Sequence, residues 1–237
     1  METYAEFLAR INSFEKMPIN FGKGHFDGSP SIAHKVNKDN TFKSFYGDTV
    51  VFGLDEAVKN KLAKYVDELY RVAPECFCER LVSHTFHVTL HDLSNSAVLS
   101  DVAEELFRNE LKIIEIAGAI KKHKSAKLKM KSNNIFNMVD TSLVMGLYPT
   151  SDVDYRTMME LYAAVDGVKK LGYPLTPHIT LAYYNVNGFS SRSAQKLIDV
   201  VNNLNADPIE LELNVDDLFY QKFTSMNNYI DIIRLSK

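Results

Sequence analysis

Two stretches, Phe86-His87-Val88-Thr89-Leu90 and Pro177-His178-Ile179-Thr180-Leu181, decide how this chain is read. Each carries His-aliphatic-Thr-Leu inside a short apolar run. Side chains alternate along a strand, so the His and Thr of each copy share one face while Val88/Leu90 or Ile179/Leu181 take the other. The apolar face can dock on a helix, leaving an imidazole and a hydroxyl pointing together into a cleft. One such histidine on a half-buried strand is commonplace. Two copies, 91 positions apart (178 − 87) in a chain of 237 residues, predict a duplicated lobe with a two-histidine site between the halves.

The elements around the two copies also repeat. Thr49–Leu54 reads as an apolar strand, and residues 55–72 as a helix striped by Val58, Leu62, Tyr65, Val66 and Leu69 and closed by Pro74. The first His strand, about 84–91, is followed by a helix over roughly 97–120, an alternating strand Lys127–Lys131 and a turn at Asn133-Asn134. In the second half, Ser142–Tyr148 is the strand, and Ser151-Asp152-Val153-Asp154 caps a helix running toward Gly172. The second His strand, 177–184, precedes a helix at 191–204. Ile209–Val215 alternates strictly, and Tyr229–Leu235 is expected as its antiparallel mate after a turn at 225–228. Ahead of these, Tyr4, Phe7, Leu8, Ile11 and Phe14 have helical spacing, and glycines with Pro30 mark 18–47 as an ordered loop with one hairpin.

With both motifs and this element order in view, the chain resembles the two-histidine (2H) phosphoesterase superfamily, whose signature is two His-x-Thr-x motifs. Its members include 2′-5′ RNA ligase-like proteins and cyclic nucleotide phosphodiesterases. The resemblance runs from about Gly47 to the C-terminus. It implies an α+β, LigT-like fold: a bilobal, pseudo-twofold duplication with two antiparallel sheets, flanking helices and a central cleft. Residues 47–237 would form that two-lobed domain, with 1–46 a helix-and-loop extension packed on it. A looser likeness of Lys35–Phe42 and Phe45–Val51 to the lead-in of one branch of the superfamily places this segment near the cleft.

Chemically, cleaving a phosphodiester requires one group to take a proton and another to give one. Imidazole, with an ordinary pKa of about 6.5, can do either near neutrality. The reading assigns His87 and His178 as the acid–base pair, and Thr89 and Thr180 as hydroxyl donors to phosphate oxygens. It calls for no cofactor and no metal. The expected activity is hydrolysis of a 2′,3′-cyclic phosphate, a 2′-5′ linkage or a related small nucleotide, with 2′-5′ ligation as the reverse direction. A non-catalytic nucleotide or RNA binder on the same scaffold is the alternative. Strand parity puts His91 and Tyr184 on the face of their motif histidines, as candidate substrate-binding residues. Where many relatives carry a basic residue after the second motif, this chain has Ala182-Tyr183-Tyr184, which removes the phosphate clamp expected there.

Composition narrows the partners. A net charge of −3 provides no global basic field, so DNA is not expected; the expected partner is a nucleotide or short RNA. The run Lys121-Lys122-His123-Lys124 with Lys127, Lys129 and Lys131 reads either as an RNA track or as a charged solvent face. No apolar run is long enough to span a membrane, and the first residues lack a signal-peptide pattern, so a cytoplasmic monomer is expected. Cys76 and Cys78, one residue apart, read as reduced thiols. A zinc site from them with His84 and His87 has unusual ligand spacing and leaves the second motif unexplained.

Overall fold

The structure is a computed structural model describing residues 2–14 and 24–237. The part of the expected 18–47 loop up to residue 23 lies outside the described residues. In chain order the first elements are α1 (Tyr4–Ser13), β1 (His25–Phe26), β2 (Tyr46–Gly53) and α2 (Glu56–Val72). Next come β3 (His87–Ser96), α3 (Leu99–Ile120), β4 (Lys127–Met138), β5 (Ser142–Pro149) and α4 (Asp152–Asp166). The chain finishes with β6 (His178–Tyr183), β7 (Phe189–Ser190), α5 (Ser191–Asn205), β8 (Glu210–Asn214), β9 (Leu218–Ser225) and β10 (Asn228–Arg234).

Helix positions follow from periodicity and capping. Asp55 accepts from the Val58 amide and starts α2, which buries Leu62, Tyr65, Val66 and Leu69. Ser151 does the same for α4 and Ser190 for α5. Helix α4 stops at Asp166, with Gly167 as its cap, so the stretch toward Gly172 is not helical.

Two four-stranded antiparallel sheets, in the orders β10-β9-β2-β3 and β6-β5-β4-β8, carry the architecture. Each motif strand is the edge of its own sheet beside the first strand of its half, and the edges β3 and β6 touch. α2 packs on α5 and α3 on α4, covering the apolar faces. The fold is α+β and two-lobed as the resemblance implies. No helix among the described residues is long and apolar enough to cross a membrane.

Two further local expectations are corrected. Asn133 and Asn134 lie within β4, at a register shift against β5; the turn falls at Val139–Thr141, where Val139 and Asp140 adopt φ of 45° and 57°. Tyr229–Leu235 does not pair with 209–215. The aromatic run Leu218–Ser225 forms its own strand and takes β10 as a hairpin, joined through Met226-Asn227. Strand β8 instead pairs with β4 in the other sheet. A two-residue loop closes far more cheaply than the longer connection from β8 to β10, so the local partner wins.

The N-terminal segment is pinned to the second half. The Tyr4 hydroxyl donates to the Pro149 carbonyl, Arg10 to the Leu175 carbonyl, and β1 pairs with β7. A small hairpin brackets Asn37–Thr41, closed by the Val36–Phe42 bridge.

Candidate active site

A cleft of about 590 Å³ opens between the two sheets, and His87, Thr89, His178 and Thr180 all line it. The two halves hold their histidines identically. His87 Nδ1 lies 2.7 Å from the Thr85 carbonyl, and His178 Nδ1 lies 2.7 Å from the Thr176 carbonyl. A carbonyl only accepts, so each Nδ1 carries the proton and the neutral ring leaves Nε2 as its unprotonated nitrogen.

Burial pushes both imidazoles below their ordinary pKa, His87 to about 4. The Thr85 and Thr176 carbonyls and the Asp92 carboxylate oppose that shift. His178 lies near enough to His87 to lower it further by charge repulsion, and Lys35 acts likewise on His178.

His91 and Tyr184 do not reach the cleft, and the reason is the same in each half. Val51 pairs with Thr89 and Val50 with His91, so Leu90 is an extra, bulged residue. Val144 pairs with Thr180 and Leu143 with Ala182, so Leu181 is bulged in the other sheet. One inserted residue flips the alternation beyond it. Asp92 and Tyr183, each five positions past its motif histidine, therefore face the cleft.

His91 turns into the core against the Tyr162 ring, its Nε2 3.3 Å from Asp166 at the end of α4. Tyr184 is fully buried among Phe26, Phe77 and Phe189, and its hydroxyl has no partner among the described residues. Parity counting could not detect bulges, because they depend on pairing with β2 and β5.

Several other cleft residues lay beyond the motifs. The Tyr229 ring meets His87 edge-on at 5.0 Å, and the Tyr173 hydroxyl donates to Asp92 at 3.2 Å. Lys35 and Phe45, from the lead-in segment, also line the cleft. The lysine run does not: Lys127 and Lys131 pair with Glu212 and Glu210 across the β4–β8 ladder. Cys76 and Cys78 are buried thiols, both pushed up to about 12 by burial.

No family model and no curated protein matches the chain. Solved structures do. A conserved protein of unknown function from Agrobacterium tumefaciens aligns with a TM-score of 0.65 at 12% identity, over 88% of this chain and 94% of its own. E. coli LigT complexed with 3′-AMP aligns at 0.50 and 12% identity, over 80% of this chain and 97% of its own. The likeness is one of fold: the chain has the LigT-like architecture.

Proposed function

We propose that this cleft hydrolyses a phosphodiester, a 2′,3′-cyclic phosphate, a 2′-5′ linkage or a related small nucleotide, by acid–base catalysis from His87 and His178. The observation that carries the reading is the matched pair of Nδ1-to-carbonyl bonds, which sets both rings in one tautomer beside a threonine on a shared cavity. One Nε2 takes the proton of the attacking oxygen, and the other ring, once charged, gives a proton to the leaving oxygen. Thr89 and Thr180 donate to the non-bridging oxygens as charge builds on them.

The depressed pKa values fit a cleft that charges on demand. Without an anion, burial favours two neutral imidazoles. An arriving phosphate puts a negative charge beside them, offsets the desolvation and lets one ring protonate. LigT, of the same fold, is crystallised with 3′-AMP, a nucleoside monophosphate of the kind such a reaction releases.

The test is turnover of a panel of 2′,3′-cyclic nucleotides and 2′-5′-linked dinucleotides. His87→Asn and His178→Asn, whose amide nitrogens can keep the Thr85 and Thr176 bonds, should each reduce turnover by about 10²–10⁴-fold at neutral pH. Either variant turning over at the wild-type rate would refute the paired role. Binding without products across the panel would instead identify a nucleotide binder.

A further inference from the structure

The duplicated halves supply imidazoles and hydroxyls but no permanent positive charge. Arg10 reaches the cleft wall, yet its guanidinium is held by Glu2 at 2.8 and 2.9 Å and by the Leu175 carbonyl at 2.9 Å. The other cation lining the cleft, among the described residues, is Lys35.

Lys35 is placed by backbone rather than by an ion pair. Its amide donates to the Ile32 carbonyl at 2.9 Å, and its carbonyl accepts from the Lys43 amide at 2.8 Å, just outside the hairpin closed by Val36 and Phe42. From there its ammonium lies 5.2 Å from the Tyr183 ring centroid and 5.3 Å from that of Phe45. Tyr183 is the residue the second bulge turns inward, so the lysine sits on the His178 side of the site. Among the described residues no carboxylate pairs with Nζ and no acceptor bonds it; Asp92 acts on it only at longer range. Aromatic faces orient an ammonium, but they cannot satisfy its three N–H donors. A cation held half-buried in a cavity with its donors unmet is built to receive an anion.

We propose that Lys35 is the phosphate-anchoring cation of this cleft, carried in from outside the duplicated halves to the place where Ala182-Tyr183-Tyr184 offers no basic side chain. Rings replace the missing basic residue as a seat, and the charge arrives on another segment. The inference rests on reading the cleft as a phosphate site, and it gives residues 30–45 a direct part in binding.

The experiment titrates inorganic phosphate into the intact protein and its Lys35 variants by calorimetry, and measures turnover on the best cyclic nucleotide. Lys35→Met keeps the chain length between the rings without the charge, and Lys35→Gln provides a second neutral variant. Losing one charge-assisted contact should weaken phosphate binding and raise KM by about ten- to a hundredfold, with a smaller change in kcat. Lys35→Arg should recover most of the affinity. Phosphate binding to both neutral variants as tight as to the wild type would overturn the proposal, as would no phosphate binding by the wild type. If phosphate binds through Lys35 but no diester is turned over, the anchor stands and the hydrolase reading falls. Normal turnover with unaltered phosphate binding in Lys35→Met would do the opposite, removing the anchor and leaving the hydrolase in place.

Discussion

Acid should weaken this protein through His87, and replacing that ring should remove part of the weakness. Burial holds the folded-state imidazole at about pKa 4, against 6.5 for an unperturbed histidine. Between those values the unfolded chain binds a proton that the folded chain refuses. Stability is therefore unaffected by this group above about pH 6.5 and falls as the pH drops toward 4. At pH 5, linkage with these two values gives a loss of about 2 kcal/mol.

The perturbation is His87→Asn, which can still donate to the Thr85 carbonyl but does not titrate. The assay is urea unfolding of both proteins at pH 7.5 and pH 5, and the quantity read is the difference between their losses. Wild type should lose about 2 kcal/mol more than the variant, whatever the substitution itself costs at pH 7.5. His178 is shifted in the same direction, so the double asparagine variant should lose still less. Equal losses in wild type and His87→Asn would show that the ring protonates freely when folded, and the account of a cleft charged only by its ligand would fail.

Two further outcomes follow from the bulges. Tyr184→Phe removes a buried hydroxyl that has no partner among the described residues, so thermal melting should show about 1 kcal/mol of added stability with turnover unchanged; a destabilised variant would mean that the hydroxyl is satisfied. Asp92 raises both cleft imidazoles, so Asp92→Asn should move the pH–rate profile toward lower pH. A profile that stays in place would exclude Asp92 from tuning the pair.

Much of the architecture was legible because it is written in local periodicity. The stripe Leu62, Tyr65, Val66, Leu69 can bury itself only as a helix, and Asp55, Ser151 and Ser190 mark helix starts by capping chemistry that needs no tertiary partner. The paired His-x-Thr strands were legible as well, since two residues two apart share a strand face before any register is chosen. Apart from the end of α4, expected to run on toward Gly172, what failed was each inference that crossed a pairing. The β9–β10 hairpin was missed because alternation in 209–215 and 229–235 says nothing of which strand each one meets.

By itself, then, the chain specified its helices, its two motif strands and the imidazole and hydroxyl side chains those strands carry, because these depend on neighbours a few bonds away. The tertiary structure alone decided that Asp92 and Tyr183, rather than His91 and Tyr184, face the cleft, and that Lys35 joins them. A bulge exists only against a partner strand, and a lysine from a distant hairpin reaches a cavity only once both halves have closed around it.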